Sequence, residues 1–289
     1  MQLGIIGLGR MGGNMRERLR RAGHEVVGFD RNPDVSDAAD LADFVSKLAA
    51  PRVVWAMVPV AVTEQTIDDV AALLTEGDLI IDGGNSKFTD DAPRAERLAK
   101  RGIGYVDCGV SGGVWGIEDG YALMVGGKDT DVAKAQPIFD ALKPAGEFGF
   151  AHAGGVGAGH YAKMVHNGIE YGLMQAYAEG YELLSASEYV TDVPAVIKSW
   201  RDGTVVRSWL LDLLDRALDE DPQFAKIKGY ADDTGEGRWT VDEAVRLDVP
   251  LNAIAASLFA RFTSRQDDSP AMKAVAALRN QFGGHAVHS

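Results

Sequence analysis

Residues 163–172 read KMVHNGIEYG. Lys163, His166, Asn167 and Glu170 recur at i, i+3, i+4 and i+7, which in a helix brings all four to one face, with Tyr171 at its border. A lysine and a glutamate separated by about two turns, or ~10 Å of rise, could serve one ligand as base and acid. A plain solvated face is the other reading of the segment, since charged residues are usually exposed. Gly168 and Gly172 bear on the choice. Each lowers helix preference by about 1 kcal/mol relative to alanine, a cost that suggests close approach by another chain segment or a ligand. Val165, Ile169 and Leu173 lie opposite and can pack.

A second constellation is GLGRMG at 7–12, which satisfies G-x-G-x-x-G. Alone the spacing is weak, but here it follows a strand and opens an amphipathic helix, the context a dinucleotide needs. Gly7 permits the tight turn, Gly9 the approach of a pyrophosphate, and Gly12 close helix–strand packing. Leu8, Arg10 and Met11 complete the expected turn, and the helix N-terminus offers free N–H groups to phosphate. Asp30 ends the next strand, where a carboxylate can bind both ribose hydroxyls of NAD and repel a 2′-phosphate. Arg31, followed by Asn32, could instead pair with such a phosphate, so NAD is the expected cofactor with NADP possible. Met57, Val58 and Pro59 end a further strand at the same sheet edge, where ligands collect.

Two more segments carry small polar groups beyond strands: GGNS at 83–86, with Asn85, and Ser111-Gly112-Gly113. Each can present backbone N–H groups to an anionic or hydroxylated ligand, or can be an ordinary loop. Cys108, the single cysteine, reads as a small buried residue near a strand end, and no intramolecular disulfide can form. No metal is expected.

These residues need elements to hold them. Apolar runs predict strands at 2–7, 25–30, 53–58, 78–82, 103–107, 121–126 and 146–150, with helices near 12–22, 63–74, 89–101 and 130–142. That alternation implies an α/β, Rossmann-type doubly wound sheet covered on both faces. After the glycine-rich break AGGVGAG at 153–159 strand signals cease. Helices are expected near 160–187, 193–201, 204–219, 240–247, 251–265 and 270–281. Thr240 with Glu243 reads as a capping box, and Ser269-Pro270 as an N-cap with a first-turn proline. The expected organisation is therefore a dinucleotide-binding domain at 1–158 and an all-α domain at 159–289.

Length, 46% hydrophobic and 25% charged residues fit a soluble globular chain. The net charge of −13 argues against binding nucleic acid through overall charge. An anionic ligand then needs a local basic pocket. The N-terminal MQLGIIGLGR lacks the marks of a signal peptide, and the longest apolar stretch, near VVWAMVPVAV, is too short to cross a membrane. A cytoplasmic location is expected.

GLGRMGGNM, IIDGGNS, VSGGVWG, KMVHNGIEYG and the tail RNQFGGH together resemble the decarboxylating 6-phosphogluconate dehydrogenases, collinearly and over most of the chain. The helical domain resembles that of the family's short members, which commonly use NAD. The resemblance implies that Lys163 is the general base taking the proton of the substrate's 3-hydroxyl. For this the lysine must be neutral, held below its ordinary value of about 10.4 by nearby positive charge and desolvation. It implies that Glu170 is the acid that protonates the enediol carbon after CO2 departs. Asn85, Ser111, Gly112, Gly113, His166, Asn167 and Tyr171 match the family's substrate contacts, and Arg261 matches a phosphate-binding arginine. Arg279 and His285 occupy the spacing of two further ligands that in the family reach a neighbouring subunit's site, which implies a homodimer or homotetramer. The implied partner is a phosphorylated sugar acid, for which arginine's planar fork is suited. One departure stands out. The family usually places a lysine in a longer glycine-rich loop before K-W-T, whereas residues 233–240 read DTGEGRWT.

Other β-hydroxyacid dehydrogenases, of the 3-hydroxyisobutyrate or tartronate semialdehyde type, share the fingerprint, SGG and a lysine but lack the HN-GIEY run and the tail. A protein that binds NAD without turnover is the third reading. Lys163 and Glu170 on one helix face argue against it.

Overall fold

The structure is a computed structural model and describes residues 1–288. The chain divides into two compact units, Met1–His166 and Asn167–Ser289. The division falls inside one long helix, eight residues beyond the boundary expected from the glycine break.

Seven strands form the first unit's sheet: β1 (Gln2–Ile6), β2 (Glu25–Phe29), β3 (Val53–Ala56), β4 (Leu79–Asp82), β5 (Gly104–Ser111), β6 (Ala122–Gly127) and β7 (Phe150–Gly154). Their order is β2-β1-β3-β4-β5-β6-β7. The first five are parallel; β6 runs antiparallel to β5, from Val106 opposite Gly127 to Ser111 opposite Ala122, and β7 is parallel to β6. The chain leaves β1 to one side for β2 and to the other for β3, which makes the carboxyl ends of β1 and β3 the topological switch point.

The continuous apolar strand runs have a direct cause: successive side chains enter opposite cores. Leu3, Ile5, Val53, Trp55, Leu79 and Ile81 join one cluster with Met15, Leu19 and Phe139. Ile6, Val54 and Ile80 join another with Phe44, Ile67 and Val70. Helices α1 (Arg10–Arg21), α2 (Leu41–Ser46), α3 (Val60–Leu73), α4 (Asp91–Ala99), α5 (Gly116–Asp119) and α6 (Asp129–Leu142) accompany the strands.

The short α2 and α5 were not expected. Helix α2 has only six residues and is set by its cap, the Asp40 side chain accepting from Asp43 N–H at 2.8 Å. The last strand lies later than 146–150. Gly146 and Gly149 take positive φ of 101° and 98°, so GEFG turns and the strand takes in the first residues of the glycine break. Cys108 lies fully buried within β5, where burial pushes its thiol well above the ordinary range.

Helix α7 (Ala158–Ala186) runs from the first unit into the second, which also contains α8 (Val193–Ser199), α9 (Trp209–Glu220), α10 (Glu236–Arg246), α11 (Asn252–Thr263) and α12 (Pro270–Gly283). A small core joins Ile197, Leu211 and Leu218 to Tyr177, Tyr181 and Leu184. Helix α9 starts at Trp209, where Ser208 caps it. The Ser269 cap is present, accepting from Met272 N–H with Pro270 in the first turn. The Thr240 capping box is not. Helix α10 already begins at Glu236, and Thr240 donates to the Glu236 carbonyl at 2.7 Å from mid-helix. Ile169 and Leu173, expected to pack, are exposed, as are Phe259 and Leu278. No described residue of α12 is buried. Among the described residues no helix is long and apolar enough to cross a membrane.

Candidate active site

The glycine turn is built at the switch point. Gly7 N–H donates to Phe29 O at 2.8 Å, and Met57 N–H to Ile6 O at 2.7 Å, fixing the ends of β2, β1 and β3 together. Gly7 has φ +91°, and a Cβ there would press on the Met57 carbonyl group; a Cβ on Gly12 would overlap the Gly7 carbonyl. These two glycines are thus demanded by the protein itself. Gly9 is different: a Cβ there would meet nothing within 4 Å. Its smallness answers to no protein atom and leaves open space before a helix start with neither a side-chain cap nor an acidic first turn. The first-turn N–H groups of α1 have no intrahelical acceptor and suit a pyrophosphate.

Asp30 closes this turn. Its Oδ2 accepts from Leu8 N–H at 2.7 Å and its Oδ1 from Asn32 N–H at 2.9 Å. Each oxygen keeps a lone pair for a ribose hydroxyl. The Leu8 side chain is core, so only its backbone belongs to the turn; Met11 and Met57 pack on that core. Arg10, Arg31 and Pro59 are exposed, Val58 is half-buried, and the exposed Asn32 turns its Oδ1 to its own loop, accepting from Asp34 N–H.

Asp82, the last residue of β4, shapes the GGNS loop. It accepts from Gly84 N–H at 3.0 Å and from Ser86 Oγ at 2.7 Å, leaving Asn85 exposed. Ser111 ends β5, and Gly112 (φ 146°) and Gly113 turn the chain. Ser111 Oγ lies 3.3 Å from His166 Nε2, and His166 Nδ1 lies 3.4 Å from Lys163 Nζ. The three form a chain whose sense depends on the lysine. An ammonium donates to Nδ1, leaving Nε2–H to donate to Ser111; a neutral amine can accept from Nδ1–H, with Ser111 O–H donating to Nε2.

Three features of this region were missed. Helix α7 lies directly on the sheet through Gly109 and Gly159: a Cβ on Gly109 would lie 3.0 Å from Lys163 Cγ, and one on Gly159 would lie 2.8 Å from the Asp107 carbonyl oxygen. The segment after SGG is tied to α1 by Asn14 Nδ2, which donates to Val114 O, and by Arg18, which donates to the carbonyls of Ile117 and Glu118 and also to those of Ala141 and Lys143 at the end of α6. Beneath the site runs a buried ionic network. Asp107 accepts from Gly157 N–H at 2.7 Å and His160 N–H at 2.9 Å, holding the start of α7. His160 Nδ1 lies 2.8 Å from Asp91 Oδ2. Arg94 Nη1 reaches Asp82 at 3.1 Å, and Tyr105 O–H donates to Asp91 at 2.7 Å. Burial opposes the imidazolium, but the Asp91 hydrogen bond and the charges of Asp82, Asp91 and Asp107 outweigh it and push His160 up to about 9. Burial also lifts the Asp91 carboxyl. We place the shared proton on His160, because that ring feels all three carboxylates while Asp91 has only part of their repulsion to relieve. Acidic residues set in the apolar runs IID and YVDCGV were the available signal for this network.

In the second unit, Tyr171 is buried and Arg261 stacks on it, Cζ 3.5 Å from the ring centroid, while Arg261 Nη1 donates to Asp232 O at 2.8 Å. Tyr171 O–H is 3.5 Å from Thr234 N–H, a long contact, and Gly237 admits the ring: a Cβ there would lie 2.6 Å from it. Gly168 meets α10, where a Cβ would be 2.8 Å from Thr240 Cγ2, whereas Gly172 has only an ordinary contact at 3.8 Å. Asn167 and Glu170 are half-buried. In the shortened loop, Arg238 makes a two-pronged bond to Asp233 at 2.7 and 2.9 Å, and Arg265 shares that carboxylate. The hydrogen bond from Arg238 leads in holding Asp233 down at about 2. Arg279 and His285 are exposed, on α12 and just beyond it.

Fold and turn define a class: a Rossmann-type NAD-binding domain followed by an all-helical domain. Residues 2–147 match the NAD-binding domain of 6-phosphogluconate dehydrogenase, and residues 159–285 match the 6-phosphogluconate dehydrogenase C-terminal domain. A Haloferax volcanii protein named as the NAD(+)-dependent, decarboxylating 6-phosphogluconate dehydrogenase is 43% identical, covering 99% of this chain and 98% of its own. The chain belongs to the 6-phosphogluconate dehydrogenase family. Among solved structures, Plasmodium falciparum 6-phosphogluconate dehydrogenase has the same fold, with a TM-score of 0.84 at 24% identity over 100% of this chain and 66% of that one. Mycobacterium tuberculosis 3-hydroxyisobutyrate dehydrogenase shares the fold at a TM-score of 0.70 and 24% identity, over 96% and 99% of the two chains.

Proposed function

We propose that the chain oxidises 6-phospho-D-gluconate with NAD and releases D-ribulose 5-phosphate and CO2. The observation that carries this reading is the Ser111–His166–Lys163 chain beyond the ends of the sheet, in a member of this family. Lys163, as a neutral amine, takes the 3-hydroxyl proton. NAD, when bound, supplies the acceptor for the hydride that leaves C3. The resulting 3-keto acid loses its carboxylate as CO2, the new carbonyl taking the electron pair, and Glu170 delivers a proton to the carbon left behind. Ser111, His166, Asn167 and Asn85 orient the sugar acid, with Gly112 and Gly113 giving it room. Tyr171 and Arg261 receive the phosphate; the aromatic stack holds the guanidinium plane while leaving other N–H groups to donate. Arg238 is committed to Asp233, so we do not assign it the role of the family's loop lysine.

Gly7–Gly12, Asp30, Met57–Pro59 and Asn85 would hold NAD, with the Asp30 carboxylate accepting from the ribose hydroxyls. Asp30 favours NAD over NADP: its carboxylate, held by Leu8 and Asn32 N–H, can accept from ribose hydroxyls and repels a 2′-phosphate. The chain works as a homo-oligomer in the cytoplasm. Its support is α12, a helix with no buried described residue, and the exposed Ile169, Leu173, Phe259 and Leu278, which a second copy would cover. Arg279 and His285 then complete a neighbour's site.

The test is NADH formation with 6-phosphogluconate and, in parallel, 3-hydroxyisobutyrate. Lys163→Met is expected to abolish turnover while NAD still binds. Turnover of 3-hydroxyisobutyrate alone would assign the chain to the other branch, and an active Lys163→Met would remove the base from Lys163.

A further inference from the structure

Asp91 and His160 belong to no part of the reaction just described, yet they are among the most buried charged groups of the first unit, with side chains 0% and 1% exposed. They stand at the join of two site-bearing segments. On one side, Asp82 holds the GGNS loop through Gly84 N–H and Ser86 Oγ. On the other, His160 sits one helical turn before Lys163 in α7, and its backbone is gripped by Asp107. Tyr105 and Arg94 bridge the two: Tyr105 O–H lies 2.7 Å from Asp91 and 3.4 Å from Asp82, and Arg94 Nη1 lies 3.1 Å from Asp82 and 3.8 Å from Asp91.

We propose that Asp91 and His160 are positioning residues that lock the GGNS loop and the first turns of α7 into one rigid body, so that Asn85 and Lys163 keep a fixed relation. The inference rests on the reading of Lys163 as the base. Three buried carboxylates, Asp82, Asp91 and Asp107, face two buried cations, Arg94 and His160, and these groups are spread over four elements, β4, α4, β5 and α7; Arg94 is also paired with Glu64 of α3 at 2.6 Å. Breaking one link leaves a buried charge without its counter-ion, so the strain spreads to the elements that share it. Packing alone would not do this, since a local cavity relaxes where it is made.

The test is hydrogen exchange by mass spectrometry on the full chain, with steady-state kinetics, for Asp91→Asn, His160→Asn and the milder Ser86→Ala. Ser86→Ala keeps every charge and serves if the buried variants do not fold. His160→Asn is expected to speed exchange at least tenfold in residues 83–87 as well as in 157–163, and Ser86→Ala to speed it in 157–163. In both buried variants kcat falls at least tenfold while KM for NAD stays within twofold. Exchange that rises only around the substituted residue, or an unchanged kcat, would overturn the proposal. Lys163→Met run alongside separates the two readings: if it retains turnover the base assignment fails, while the exchange data still decide whether loop and helix are coupled.

Discussion

Gly109→Ala should disable the enzyme through one methyl group. Gly109 pairs with Met124 in the middle of the β5–β6 ladder, with Lys163 packed directly on it. The new methyl would overlap Lys163 Cβ and lie 3.0 Å from both Lys163 Cγ and the Gly159 carbonyl oxygen. Carbon atoms settle at about 3.5–4.0 Å, so one partner must retreat by on the order of 1 Å. The strand cannot: Val106, Cys108 and Val110 beside it are buried in the core. The start of α7 therefore lifts, and Lys163 moves with it. A displacement of ~1 Å at a reacting group costs on the order of 10²-fold in rate, equivalent to about 2.7 kcal/mol of barrier. The overpacking itself costs about 1–3 kcal/mol of stability, so circular dichroism and calorimetric NAD titration must first show a folded, cofactor-binding protein. The measurement is kcat for NADH formation at saturating 6-phosphogluconate. A kcat within threefold of the parent, in a folded variant, would show that Lys163 is not held against β5 or does not need to be.

Two other outcomes follow from the same geometry. Asp30→Ala removes the anion at the ribose end; KM for NAD should rise roughly tenfold or more, as for a lost pair of charge-assisted hydrogen bonds, and the NAD/NADP ratio of kcat/KM should move toward NADP, whereas an unaltered ratio would take the ribose from Asp30. His160, ordinarily near 6.5 and held at about 9 in the fold, should make stability pH-dependent: its contribution is complete below pH 6.5 and lost as pH rises through about 9, at most roughly 3 kcal/mol. Urea midpoints between pH 6 and 10 should therefore fall more steeply for the parent than for His160→Asn; parallel curves would mean another group titrates.

Much of this arrangement could be read from the sequence, for a physical reason in each case. The strands announced themselves because both sheet faces are covered, so Val53–Ala56 and Leu79–Ile81 are apolar at every position. The nucleotide turn was legible because local backbone needs, at Gly7 and Gly12, dictate residue type. Lys163 and His166 were legible because helical spacing alone brings them to one face, and the 3.4 Å contact agrees. What stayed hidden depends on partners remote in sequence. Gly109 looks like any glycine in a strand until α7 is laid upon it. His160 looks like a stray histidine until Asp91, 69 residues away, meets it. Thr240 misled because Thr-x-x-Glu is a cap only where a helix begins, and α10 had already begun at Glu236.

The hidden parts also explain why the site can be built where it is. Helix α7 offers its positive end to the sheet, and Asp107 occupies that end with both carboxylate oxygens. A helix start satisfied by water could slide along its axis; one satisfied by a carboxylate rising from a strand cannot move without leaving two N–H groups and an anion buried and unpaired. Lys163 lies less than two turns beyond this anchor, and Gly109 and Gly159 bring the helix backbone down onto the strands. The buried carboxylate of Asp107, costly within a strand, is therefore what holds the start of α7 in place, and the two glycines that weaken strand and helix set its height above the sheet. Local preference is given up at Asp107, Gly109 and Gly159 together, where α7 meets β5, and on the proposed reading of Lys163 as the base this is the arrangement that sets its position.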